Sequence, residues 1–214
     1  IKAEFPDLPV IWGGWHTSLF PTQTLEDEPT VDVTVQAQGE VTFREICEHL
    51  ATDTSLETIS GLSLRKEGQV VQNQARPLVD MNELPGYNYE LIDVESYFRA
   101  KGRRQFDFFT STGCYFRCAF CADPFVFQRK WSALEPDRIA EELAHWQAKH
   151  QFEDVNFQDE TFFTYRKRIM AIGQAFLDRG LQFSWAGTMR ADQSHRLSEE
   201  DFLLLKRSGL RRRA

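Results

Sequence analysis

The sequence has no apolar run long enough to cross a bilayer. Its first residues, Ile1-Lys-Ala-Glu-Phe-Pro, lack the charged and apolar regions of a signal peptide. Together these point to a cytoplasmic protein without a membrane span. An initiator Met is also missing, so the natural N-terminus is expected upstream. Positive charge is in deficit: 25 Lys and Arg against 32 Asp and Glu leave a formal charge of −7. Such a balance argues against generic nucleic-acid binding. Cysteine is scarce, with four in 214 residues. Three of the four are bunched, which is no extracellular disulfide framework and points to metal in a reducing compartment. Internal repeats and low-complexity tracts are absent. What the chain does have is apolar and aromatic mass. Apolar residues make up 42% of it, with 18 Phe and five Trp, enough for a real core and against disorder.

Pro9-Val-Ile-Trp12 reads as a buried strand that runs into a Gly13-Gly14 loop, which His16 is expected to cap. Residues 21–25 suit a short helix. Residues 31–36 alternate in β-branched side chains and read as a second strand. Gln38-Gly39-Glu40 then turns the chain into a helix over 42–50, with Phe43, Ile46, Cys47 and Leu50 at inward spacing. This alternation is the rhythm of a doubly wound α/β domain. Segments 62–65 and 69–72 flank Lys66-Glu67-Gly68 as a hairpin. The stretch 77–101 contains Pro77, Pro85 and Gly86 with little periodicity and reads as a linker.

Residues 106–111 read as a strand that feeds the cysteine cluster. Glu135-Pro136 opens a helix to about residue 150, Pro being favoured in a first turn, with Ile139, Leu143 and Trp146 inward. A strand over 155–157 ends at Asp159-Glu160. A helix over 166–179 turns Ile169, Ile172, Phe176 and Leu177 inward and is followed by Gly180. Residues 182–185 are a further strand, and Ser198 caps a last helix with acids in its first turn. Strand-helix units with loops of interest after the strands suit a (β/α) barrel, here an incomplete one.

Cys114-Tyr-Phe-Arg-Cys118-Ala-Phe-Cys121 has the spacing C-x3-C-x2-C. Soft thiolates select iron or zinc. A closed zinc site needs four ligands, usually as two separated pairs, and Cys47 falls in the other expected domain. Three thiolates on a four-iron cube leave one iron open to bind substrate, which points to catalysis rather than electron carriage.

The spacing, with Phe120 at the aromatic position and a strand before it, resembles the signature loop of radical S-adenosylmethionine enzymes. The resemblance implies that Cys114, Cys118 and Cys121 hold a [4Fe-4S] cluster, their sulfurs converging at the end of the strand. S-adenosylmethionine would bind the open iron, and its cleavage would yield a 5'-deoxyadenosyl radical inside a sheltering barrel. Asp159 and Glu160, in Asp159-Glu160-Thr161-Phe162, resemble the acidic motif that receives the amino group of S-adenosylmethionine in cobalamin-dependent members. Arg190 falls where relatives place a side chain near its carboxylate or ribose. The turns at Gly13 and Gly14, and at Gly39 and Glu40, resemble those that approach the cofactor in cobalamin-binding domains, where backbone must come close to a large ligand.

The resulting expectation is an α/β chain in two parts. Residues 1–75 form the C-terminal part of a Rossmann-like cobalamin-binding domain, 76–101 a linker, and 102–214 the N-terminal part of a truncated radical S-adenosylmethionine barrel. The cofactors implied are a [4Fe-4S] cluster, S-adenosylmethionine and cobalamin. The partners implied are a small-molecule substrate and an electron donor such as flavodoxin or ferredoxin. The leading activity is methyl transfer to an unactivated centre. Oxidative cyclization or ring rearrangement, a radical enzyme without cobalamin, and a non-enzymatic iron-sulfur or zinc module remain as alternatives, and the fragment is expected to be inactive by itself.

Overall fold

The computed structural model describes residues 1–211. In chain order its elements are β1 (Ile11–Trp12), α1 (Trp15–Leu19), α2 (Pro21–Asp27), β2 (Val33–Val35), α3 (Glu40–Ala51), β3 (Leu62–Lys66), β4 (Gln69–Gln72), α4 (Val94–Lys101), β5 (Gln105–Phe108), β6 (Ser111–Gly113), α5 (Asp123–Val126), β7 (Trp131–Ala133), α6 (Pro136–His150), β8 (Asp154–Phe157), α7 (Arg166–Asp178), β9 (Ser184–Ala186), α8 (Ala191–Ser194) and α9 (Glu199–Arg207). They form two compact units. One holds Ile1–Val79 with Gly113–Trp131, the other Asp80–Thr112 with Ser132–Ala214.

The first unit is a four-stranded sheet in the order β1-β2-β3-β4, with β1 and β2 parallel and the rest antiparallel. The expected hairpin is β3–β4. Its turn residues Glu67 and Gly68 both have positive φ, the geometry that matches the twist of paired strands. Val33, Val35, Ile46, Ile59 and Leu62 make the core. The inward stripe expected on α3 is only partly realised. Ile46 and Thr42 are buried, while Phe43, Cys47 and Leu50 are exposed. Thr42 Oγ1 donates to Ser60 O and accepts from Arg76 Nε, which turns that face of the helix inward.

The second unit is a parallel sheet in the order β5-β8-β9. Helix α6 precedes β8 and α7 precedes β9, the crossover arrangement that parallel strands require. Ile139, Leu143 and Trp146 of α6, and Ile169, Ile172 and Phe176 of α7, are buried as their spacing predicts. Leu177 is only partly so, because Gly173 and Ala175 take the inward positions. After α9 the chain returns beside β9, with Trp185 N donating to Gly209 O at 2.8 Å and Arg211 N to Trp185 O at 3.0 Å. The stretch read as a linker is not one. Met81, Val94 and Phe98 join the core of this unit and Tyr89 packs against it. Tyr89 Oη donates to Asp107 O at 2.8 Å and Lys101 Nζ to Gln105 O at 3.3 Å. Two outward carbonyls of edge strand β5 are thereby satisfied by side chains.

A carboxylate stands at each end of β8. Asp154 at its start accepts from Ser184 Oγ at 2.7 Å and also bonds Gln105 and Arg211. Asp159, just past its end, is buried and accepts from Thr110 N at 2.8 Å, Thr110 Oγ1 at 2.6 Å and Ser111 Oγ at 2.5 Å. Burial pushes the Asp159 carboxyl up from its usual value, while these bonds and the Arg168 charge pull it down. Arg168 is half-buried, and desolvation lowers its pKa to about 10. At the far end of the unit, Ser198 and Asp201 form a capping box on α9, and Arg166 holds the same carboxylate through two bonds of 2.6 Å.

Replacing Asp159 strands three donors in the interior, so Asp159→Ala is expected to cost roughly 3 kcal/mol in chemical denaturation. A loss within about 0.5 kcal/mol, the scale of an ordinary surface change, would contradict that role. Bonds from Arg166 and Ser198 hold the Asp201 carboxyl below its usual range. Its contribution is therefore present above the unfolded value of about 3.9 and lost as pH falls through the lower folded value. Asp201→Asn should lower the melting temperature at neutral pH, and the gap from the parent chain should close as the solution is acidified.

Candidate functional site

The cysteine loop begins at a residue that has to be glycine. Gly113 sits at φ 77°, and a Cβ there would lie 2.4 Å from the Lys130 carbonyl oxygen. The two ends of the loop thus meet directly before Cys114. Cys121 N donates to Cys118 O at 3.1 Å, closing the turn that carries the second and third thiols. Phe127 N donates to Asp123 O at 2.9 Å, ending the short helix α5. Arg129 Nε reaches the Tyr115 carbonyl at 3.4 Å.

None of the three cysteines is in a disulfide, and all are half-buried. Burial pushes the Cys114 thiol above its ordinary pKa. The Phe116 N–H pulls it down, and the charges of Asp123, Cys121 and Cys118 push it further up. The convergence expected from the sequence is not met as a single-ion cage. Among the described residues no three His, Cys, Asp or Glu side chains come together as ligands of one metal ion. A cubane makes a different demand, taking each thiolate at a separate iron corner. Two observations fit such a group. Three half-buried cysteines within one eight-residue stretch supply the soft sulfur donors that such a group takes. Asp123 Oδ1, two residues past the third cysteine, is buried without a hydrogen-bond partner. Phe120 lies on the open surface, 94% exposed.

In the second unit the expected acidic pair divides. Asp159 already accepts three hydrogen bonds from Thr110 and Ser111, which takes up most of its acceptor capacity. Glu160 is exposed. Arg190 is the N-cap of α8 and pairs with Asp192 at 3.0 Å, while its backbone N donates to Gln193 Oε1 at 2.9 Å. Gln158, Phe163, Gly187, Thr188 and Met189 line a cleft of about 470 Å³ at the carboxyl ends of β8 and β9. The sequence reading missed this 187–189 segment, whose only signal was a glycine directly after a strand.

In the first unit the two glycine turns lie on either side of Val35. A Cβ on Gly13 would stand 3.8 Å from the Val35 side chain and one on Gly39 3.5 Å. Gly14 has φ 102° and nothing within 4 Å of a Cβ position, so its backbone faces open space. Glu40 opens α3 and is exposed, where the helix dipole favours an acid. His16 does not cap the loop. It is exposed and stacks on Trp12 at 5.3 Å and against Phe20 at 5.6 Å. The residues that do fasten the turns are Thr17 and Ser18, which the sequence reading passed over. Thr17 Oγ1 donates to Val35 O at 3.0 Å. Ser18 Oγ donates to Gly14 O at 2.7 Å and accepts from Ala37 N at 2.9 Å.

No protein-family model matches the chain. An uncharacterized methyltransferase of Pyrococcus horikoshii is 32% identical over 184 residues, covering 86% of this chain and 40% of the relative. The cobalamin-dependent radical S-adenosylmethionine methyltransferase TokK of Streptomyces tokunonensis is 29% identical over 167 residues, covering 76% of this chain and 24% of TokK. Among solved structures, the cobalamin-dependent S-adenosylmethionine radical enzyme OxsB, with aqua-cobalamin and S-adenosylmethionine bound, superposes with a TM-score of 0.77 at 24% identity. That match covers 98% of this chain and 31% of OxsB. The chain thus spans less than half the length of each of these proteins, and the OxsB likeness speaks for the fold. Taken with the cysteine loop and the two α/β units, these relatives place the chain in the family of radical S-adenosylmethionine enzymes that carry a cobalamin-binding domain.

Proposed function

We propose that this chain is the cluster-bearing part of a cobalamin-dependent radical S-adenosylmethionine methyltransferase acting on a small molecule. The observation that carries the reading is the single short loop holding Cys114, Cys118 and Cys121 half-buried. When bound, the cluster would supply the electron that opens the sulfonium of S-adenosylmethionine, and cobalamin would supply a carried methyl group.

The chain's own residues divide the remaining work. Cys114, Cys118 and Cys121 would hold the cluster, and the loop offers no fourth thiol, so S-adenosylmethionine would have an iron open to it. Phe120 presents an exposed aromatic face suited to a nucleoside. Glu160 is the member of the acidic pair suited to an ammonium, because Asp159 is committed to the strand ends. Arg190 can bond both oxygens of a carboxylate. Its present partner Asp192 is half exposed, and exposed pairs are held weakly enough to exchange. Gly13, Gly14 and Gly39 offer backbone to cobalamin, with Glu40 at the edge of the second turn. Methyl transfer is favoured over ring closure because both relatives named above are methyltransferases. The electron would come from outside the chain, from a donor of the flavodoxin or ferredoxin kind.

Anaerobic reconstitution of the full-length protein with iron and sulfide should yield bound iron and sulfide in equal amounts, together with 5'-deoxyadenosine formed from S-adenosylmethionine under reduction. Cys118→Ala should lose both, whereas Cys47→Ala, altered at an exposed helix position, should keep both. Zinc without sulfide, or full cluster content in Cys118→Ala, would overturn the proposal.

A further inference from the structure

The cysteine loop is not folded into the compact unit from which its strand emerges. Gly113–Trp131 belongs with Ile1–Val79, the unit that carries both glycine turns. The link is visible in the elements, since α5 follows Cys121 by two residues and packs on α1. Helix α1 in turn starts at the Gly13-Gly14 turn, with Gly14 as its N-cap.

Ser18 sits at the centre of this link. Its hydroxyl donates to the carbonyl of Gly14 in the first turn and accepts from the amide of Ala37 at the entry to the second. Ala37 is held at φ 54°, a strained setting for a residue with a side chain, so that amide is aimed by the fold rather than by local preference. On its other side Ser18 faces Phe125, Val126, Phe127 and Gln128 across a cleft of about 110 Å³. Thr17, next along α1, is buried and anchors the helix to the Val35 carbonyl. One residue of a short helix therefore touches both turns and borders the segment that ends the cysteine loop.

We infer that Ser18 is a positioning residue which couples ligand binding at the glycine turns to metal binding at the cysteine loop. The inference rests on the cofactor assignments proposed above. A ligand that orders the two turns fixes Ser18 and α1, so the cysteine loop has less freedom left to lose when it takes up iron, and the reverse holds equally. Each ligand should therefore strengthen binding of the other by the same factor.

The test uses the full-length protein with hydroxocobalamin as probe, titrated by absorbance before and after reconstitution with iron and sulfide. Chelator-driven loss of iron is followed with and without hydroxocobalamin. The cluster should tighten hydroxocobalamin binding at least ~5-fold, the lower end of typical coupling, and hydroxocobalamin should slow iron loss in turn. Ser18→Ala should bring the cluster's effect on affinity to within about 2-fold of none while each ligand still binds, and Ser18→Thr, which keeps the hydroxyl, should restore it. If Ser18→Ala does not fold, Val126→Ala, on the facing wall of the cleft, should show the same loss of coupling. Unchanged coupling in the alanine variants, or equal affinity with and without cluster in the parent protein, overturns the inference and leaves the cofactor assignments standing. No hydroxocobalamin binding in either state overturns both.

Discussion

Holding three cysteines half-buried in one short loop is the constraint around which the rest of this chain is arranged. Burial raises the energy of the ionised form at Cys114, and the charges of Asp123, Cys121 and Cys118 add to it. A metal cluster would offset that cost by placing positive charge beside the sulfurs. The buried, unpartnered oxygen of Asp123 beside the third cysteine belongs to the same electrostatic picture.

Each unit fastens its own turns and strand ends with side-chain hydrogen bonds. In the second unit, the carboxylates at the two ends of β8 tie the parallel strands to one another and to the chain on either side. Asp159 fixes Thr110 and Ser111, the last residues of that unit but one before the chain leaves it for Cys114. In the first unit, Thr17 and Ser18 do for the glycine turns what Asp159 does for the strand ends. Both devices use short side chains or buried carboxylates to satisfy backbone groups that no ladder reaches. Side chains with apparent ligand chemistry can thus be structural, while small hydroxyl residues beside glycines govern where a ligand can approach.

Much of this was legible in the sequence. The stripe Ile139, Leu143, Trp146, the β3–β4 hairpin turn and the Ser198 cap each follow from local spacing, and local spacing is what single-sequence reasoning reads well. The cysteine loop was legible because its chemistry is carried by adjacent residues. What escaped depended on distant partners. The stretch around Tyr89 and Phe98 lacks periodicity, yet it covers the edge of β5 and fills core. The structural load on Asp159 was hidden because its partners Thr110 and Ser111 lie far back in the chain. The inward stripe of α3 failed because the Arg76 and Ser60 bonds to Thr42, not apolar spacing, set its rotation. The grouping of the cysteine loop with the first unit has no signature in the order of residues, since it arises from the packing of α5 on α1.

The central claim is that the three thiolates hold a cubane with one iron left open to S-adenosylmethionine. Electron paramagnetic resonance of the reduced, reconstituted protein tests it most directly, with spectra recorded before and after addition of S-adenosylmethionine. A [4Fe-4S]⁺ signal that shifts on addition is the predicted result. A signal that stays unchanged at saturating S-adenosylmethionine, or no iron-sulfur signal at all, would contradict the account.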